Sequence, residues 1–170
     1  MTVLDVGLRH HIWATEQLLD LCAEVPTDEL ERAVPAIYGS ALDTLRHLVD
    51  ADTWYLWCLS GGDLGREDFD ADGLPLDEVR GVADRNAADW GALLERSLDP
   101  DADIVIVRED GSVRHATVGI RLAQVLHHGS DHRSQVCTAL TTLGHQPPEF
   151  DVWAFGEETG LASEEPAPSS

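Results

Sequence analysis

Eight histidines stand among the 170 residues of this chain, and three of them are placed where chemistry can use them. Neutral imidazole is the commonest metal ligand among side chains. His128 and His132 lie four residues apart, a spacing that stacks two side chains on one helix face. Two nitrogens held in that way can bind one ion at about 2.0–2.1 Å each. The best third donor is His47, on a separate apolar segment and in line with Ala51, Trp54 and Cys58. Three neutral imidazoles leave a divalent ion its full charge and at least one open position, the pattern of a catalytic rather than a structural site. An equally physical reading makes the inward pair core histidines, hydrogen-bonded to neighbouring side chains. No His-Glu-x-x-His is present, so the pattern chooses neither metal nor reaction. The lack of Glu-x-x-His disfavours ferritin-like carboxylate chemistry.

These residues need helices to hold them, and the hydrophobic period predicts four long ones. The first runs from about Val3 to Glu24, ended by Val25-Pro26, and a short turn begins at Thr27. The second starts at Ser40, a good N-cap, and stops at Ser60-Gly61-Gly62. The acidic stretch from Gly61 to Gly73 reads as a solvated loop. The third helix spans about Leu76 to Leu98. The period then changes: Ile104 to Val107 and Val113 to Val118 read as a small β-hairpin, with Asp110-Gly111 as its two-residue turn. The fourth helix covers about Gly119 to Leu143, with Gly144 at its C-terminus. Phe150 to Phe155 reads as a short strap. The expected fold is all-α, an up-and-down four-helix bundle with a hairpin between helices 3 and 4. Residues 1–160 form one domain and 161–170 a flexible tail.

On the fourth helix His128 and His132 fall inside the arc of Leu122, Val125, Val136, Leu140 and Leu143, whereas His127 points away. Gly129 and Ala139 flank the stripe and leave it short of bulk. The second helix is apolar over more than half its circumference, with a narrow polar arc of Asp43, Arg46, Asp50 and Thr53; this predicts a face for a second copy of the chain. Arg121, seven residues before His128, either holds an anionic group, a purpose suggested by its unfavourable place near a helix N-terminus, or simply seeks solvent. Asp52 and Arg133 both lie toward leucine-rich flanks, so they are expected either to pair across the second and fourth helices or to be exposed. Cys58 either approaches the site or is a small core residue.

Composition narrows the partners. The formal net charge is −21, and all 11 basic residues are arginine. Such a surface repels nucleic acid and anionic lipid. No apolar run approaches the roughly 20 residues that span a bilayer, and no secretory signal is apparent. Three widely spaced cysteines, Cys22, Cys58 and Cys137, fit reduced thiols in a cytoplasm.

The stretch Leu126-His-His-Gly-Ser-Asp-His-Arg-Ser-Gln135 resembles the last helix of the DinB/YfiT-like family of metalloenzymes, whose members commonly read His-x-x-x-His-Arg-Gly-Gln there. Leu45-Arg-His-Leu-Val-Asp-Ala-Asp-Thr-Trp54 is similar to the family's second-helix motif. Leu143-Gly-His-Gln-Pro-Pro148 is similar to its end of helix four, and Trp13 falls where a first-helix tryptophan is frequent. The likeness covers roughly residues 4 to 157. It implies a four-helix bundle, often a homodimer, with His47, His128 and His132 as ligands of nickel, zinc or iron. It also implies chemistry of the kind found in relatives that are transferases and isomerases using low-molecular-weight thiols. The chain departs from the pattern at Ser134, usually glycine, and at His11 and Thr15, where asparagines are frequent. His11 lies on the inner face of the first helix, as an extra ligand, an outer partner or neither.

Three kinds of function follow. The first is a metal-dependent transferase or hydrolase that activates water or a thiol toward a small-molecule substrate. The second is a metal- or small-ligand-binding module without turnover. The third is an interaction protein with structural histidines.

Overall fold

The computed structural model describes residues 1–35, 37–108 and 110–165. Its elements in chain order are α1 (Val3–Ala23), α2 (Thr27–Leu30), α3 (Ala41–Ser60), α4 (Leu76–Leu94), β1 (Asp103–Val107), β2 (Val113–Thr117), α5 (Val118–Thr142) and α6 (Val152–Glu158). The four long helices are α1, α3, α4 and α5, so the all-α class with a small hairpin is as the sequence predicts. None of the helices is long and apolar enough to cross a membrane among the described residues.

Local chemistry explains the helix ends. Thr2 and Ser40 each accept a hydrogen bond from the amide three residues on, and the Asp5 and Asp43 carboxylates accept one from the cap residue's own amide. These reciprocal bonds satisfy amides that a helix start otherwise leaves free. At the end of α5, the His145 amide donates to the Leu140 carbonyl and Gly144 donates to Thr141. Gly144 stands at φ 94, the left-handed closing turn that glycine permits. Helix α4 stops at Leu94, short of the expected Leu98. Leu98 still packs into the core, but from the turn that leads into Asp99-Pro100. The hairpin pairs Val107 with Val113, and beyond that pair the Arg108 amide donates to the Ser112 carbonyl. Its connection is therefore longer than the predicted two residues.

The core has two apolar halves. One contains Leu18, Cys22, Leu42, Leu45, Val79, Val82, Val136 and Leu140. The other contains Leu8, Leu56, Leu59, Trp90, Leu93, Val118, Leu122 and Val125. Following each helix from one half to the other fixes its direction: α1 and α5 run one way, α3 and α4 the other. The helices thus go up, down, down, up, in place of the strict alternation expected from the sequence, and α3 lies between α4 and α5.

Two parallel neighbours require a connection that returns along the bundle, and residues 61–75 supply it. Leu64 packs on one half of the core, and Phe69 and Leu74 on the other. The segment expected to be a solvated loop is therefore a packed crossover. Gly65, at φ 64, sits so close to α3 that an added Cβ would lie 2.2 Å from the Thr53 carbonyl oxygen. The crossover, α4 and α5 pack on much of the apolar circumference of α3, while Ala51, Trp54, Tyr55 and Trp57 stay part-exposed. Thr53, on the predicted polar arc, is buried against α4, where its hydroxyl donates to Asn86 Oδ1 at 3.0 Å.

Helix α6 closes against α1, with the Trp13 and Phe155 rings 5.6 Å apart. The end of the chain is tied in as far as Leu161 and Ala162, whose amides both donate to Gly156. Of the tail expected from residue 161, residues 166–170 lie outside the described residues.

Candidate metal centre

Between the two apolar halves lies a layer of polar side chains, supplied by His11 and Thr15 of α1, Asp52 and Thr53 of α3, Asn86 of α4 and Arg133 of α5, all buried. Beside it, where α3 and α5 pack, His47, His128 and His132 converge. Their ring centroids are 4.4–5.1 Å apart, and one nitrogen of each lies within 4.8 Å of the others. Nε2 of His128 is 3.1 Å from Nε2 of His47. Two nitrogens sharing an ion at about 2.0–2.1 Å, with bond angles of roughly 90–110°, are themselves about 2.9–3.4 Å apart. The observed spacing falls in that window.

The remaining five histidines find oxygen partners elsewhere. His10 faces the Phe150 carbonyl and His11 the Asp52 carboxylate. His115 pairs with Asp103, His127 with Asp131 and His145 with Glu29. His127 is well exposed, so the adjacent histidines separate as their helical phase predicts.

The electrostatics of the triad favour lone pairs over protons. Burial, and then the neighbouring His132 and His47, push the His128 imidazole down to about 4. Burial, and then His47, lower that of His132. At neutral pH both rings are therefore unprotonated donors. Nδ1 of His128 is buried and lacks a hydrogen-bond partner. An all-imidazole donor set of this spacing fits a divalent transition metal, and His11 is not part of it.

His11 instead answers the question raised by Asp52 and Arg133. Both are buried, as the pairing expectation required, but they do not meet directly. The His11 ring stands between them, with Nε2 2.7 Å from Asp52 Oδ2 and Nδ1 3.1 Å from Arg133 Nη1. Arginine can only donate, so Nδ1 accepts and the proton sits on Nε2, donated to Asp52. Burial pushes the Arg133 guanidinium down to about 10, against the opposing influence of Asp52, and it stays charged at neutral pH. Gly129 makes room for this arrangement: an added Cβ would lie 2.4 Å from His11 and 2.9 Å from Arg133 Nη1.

Arg121 is not the solvent-seeking side chain that one of its two expectations described. It is only 4% exposed, so it does not seek solvent. Its Nη2 donates to the Ile104 carbonyl at 3.2 Å, and the guanidinium lies 5.7 Å from the Trp54 ring centre. It ties the hairpin to α5, and among the described residues no carboxylate pairs with it. Cys58 is buried, and burial pushes its thiol up to about 11, which makes it a neutral core residue. Cys22 and Cys137 are likewise free thiols, both shifted upward by burial.

Three neighbours of the triad went unassigned in the sequence reading. Tyr38 stacks on His47, with centroids 4.7 Å apart and planes at 26°. Tyr55, rather than Trp54, approaches His128 edge-on at 6.2 Å. Gln135 places Oε1 3.3 Å from His132 Nδ1. Its position three residues after His132 was a usable signal. Tyr38, in an irregular segment, had none.

Comparison with known proteins agrees with this architecture. Protein DinB of Bacillus subtilis (strain 168) is 20% identical over 164 residues, an alignment covering 90% of this chain and 94% of that protein. The sequence profile of the DinB family matches residues 1–166. That match takes in all four helices, the hairpin and the three converging histidines, and the chain belongs to the DinB family.

Proposed function

We propose that His47, His128 and His132 bind one divalent ion, nickel, zinc or iron, and that the protein is a metal-dependent transferase or hydrolase acting on a small-molecule substrate. The observation that carries this reading is the convergence of three ring nitrogens from two helices within 4.8 Å of one another, with the His47–His128 pair 3.1 Å apart, a spacing one ion can bridge. A divalent ion there supplies Lewis acidity, lowering the pKa of water or a low-molecular-weight thiol so that a nucleophile exists near neutral pH.

The chain's own residues prepare that chemistry. His128 and His132 resist protonation and so keep their lone pairs at neutral pH. The His11–Asp52–Arg133 bonds fix α1, α3 and α5 relative to one another, and with them the backbones that carry the triad. Tyr38 and Tyr55 flank the imidazoles and restrict access from two sides.

A metal-binding module without turnover is the second reading. In its favour, the cluster contains only histidine, and no carboxylate hydrogen-bonds to the triad among the described residues. We place the protein in the cytoplasm on the strength of its free thiols. The expected homodimer rests on the family resemblance and on the part-exposed apolar residues of α3. Light scattering tests it, and a monomeric mass refutes it.

The experiment for the metal reading uses protein purified without a histidine tag. About one ion per chain should survive dialysis and vanish in His128→Ala. Turnover of thiol-transfer or ester substrates that is lost on chelation distinguishes the enzyme from the module. A protein that retains no metal returns the histidines to a structural role.

A further inference from the structure

One oxygen atom holds two things at the edge of the triad. Gln135 Oε1 is 3.2 Å from the Tyr38 backbone nitrogen and 3.3 Å from His132 Nδ1. A backbone N–H can only donate, so the atom facing Tyr38 is the carbonyl oxygen of the amide. The same oxygen can only accept, so His132 Nδ1 carries the ring proton. Nε2 of His132 therefore bears the lone pair. A carbonyl oxygen has two lone pairs, and Gln135 uses one for each partner.

The segment before α3 is pinned on its other side as well. The Tyr38 carbonyl accepts from the Thr44 hydroxyl at 2.8 Å. With both backbone groups held, the Tyr38 ring lies flat on His47 and edge-on to His132, at 6.2 Å and 77°. The ring is 54% exposed, so it forms the solvent side of the cluster and is not part of the core.

From this geometry we infer that Gln135 is a positioning residue that couples metal binding at His132 to the seating of Tyr38 over His47. The inference rests on the metal reading above and extends it to the residues that shape the open side of the site. A partner that fixes the tautomer and plane of a ligating histidine is worth about 10–100-fold in metal affinity. Because the same oxygen also fastens Tyr38, the coupling is reciprocal. An ion that holds His132 in register steadies Gln135, and a steadied Gln135 steadies the Tyr38 amide. Tyr38 then becomes a fixed wall beside the ion, and whatever binds there must fit against its ring.

The test combines Zn²⁺ affinity, measured against a chromophoric chelator, with hydrogen exchange of the Tyr38 amide, both on the full chain without a histidine tag. In the wild type, Zn²⁺ should bind at one per chain and slow exchange at Tyr38. Gln135→Leu should weaken Zn²⁺ by about 10–100-fold and abolish the Zn²⁺-dependent protection, even at saturating metal. Gln135→Ala supplies the same two readouts if leucine disturbs packing. Gln135→Glu keeps an acceptor oxygen and should restore both affinity and protection. A Gln135→Leu protein with wild-type affinity and wild-type protection overturns the coupling while leaving the metal reading intact. A wild type that takes up none of Zn²⁺, Ni²⁺ and Fe²⁺ overturns both.

Discussion

Two polar clusters sit side by side in the middle of this bundle, and they treat histidine in opposite ways. In the first, His11 lies between Asp52 and Arg133 and is 1% exposed. Both of its nitrogens are engaged, and the unlike charges it separates offset one another. In the second, three half-buried imidazoles face each other; among the described residues no counter-charge hydrogen-bonds to them, and Nδ1 of His128 is unpartnered. Most buried polar groups that serve the fold are satisfied by the chain itself, and in the first cluster Asp52 Oδ1 is the exception, buried without a partner. On the proposed metal reading, histidines with inward lone pairs and an open side await an ion that the chain does not supply. Gly129 joins the two clusters: it follows His128 in sequence and makes room for His11 in space.

The comparison predicts that damage to the first cluster costs stability, whereas damage to the second costs metal. The largest effect should come from Asp52→Ala. It leaves the Arg133 charge buried without its counterpart, a loss of about 3–5 kcal/mol for a broken buried pair, measurable by urea unfolding. Gly129→Ala should follow at about 1–3 kcal/mol, the cost of overpacking a filled interior, with His11 and Arg133 displaced and metal uptake reduced as well. His128→Ala should change the unfolding free energy of the metal-free protein by less than either, while abolishing metal binding. An Asp52→Ala protein as stable as the wild type would break the distinction.

A pH series sharpens it. His128 is held below its ordinary 6.5, at about 4. Between those values the unfolded chain takes up a proton that the folded chain refuses, so folding weakens as pH falls through this window. Above about pH 6.5 the contribution is fully present, and below about pH 4 it levels off. The metal-free wild type should therefore lose stability from pH 6.5 toward 4 more steeply than His128→Ala, in urea melts compared at each pH. The smallest effect should be that of Arg121→Met, which removes one hydrogen bond to the hairpin and a contact with Trp54. It should cost about 1 kcal/mol and leave metal affinity unchanged.

Much of this arrangement was legible in the sequence, because much of it is local. Ser40 and Gly144 mark helix ends through bonds to residues a few positions away. The four-residue step from His128 to His132 fixes their common face whatever the rest of the chain does. His47 followed from the phase of its own helix. What escaped depended on how helices come together. The crossover carries Leu64, Phe69 and Leu74 thinly among acids and glycines, so it read as solvated, and with it went the direction of α4. His11 between Asp52 and Arg133 requires three helices to meet at one point, which no single period reveals. Arg121 read either as an anion holder or as a solvent-seeking side chain; its burial against Trp54 and the Ile104 carbonyl depends on two other elements.

The central claim is that His47, His128 and His132 share one ion. Metal content per chain, measured by elemental analysis on untagged protein after dialysis, tests it most directly. About one nickel, zinc or iron ion per wild-type chain, and none in His128→Ala, is the predicted result. Wild-type protein free of transition metal, and unable to take up any of the three when they are added back, would contradict it.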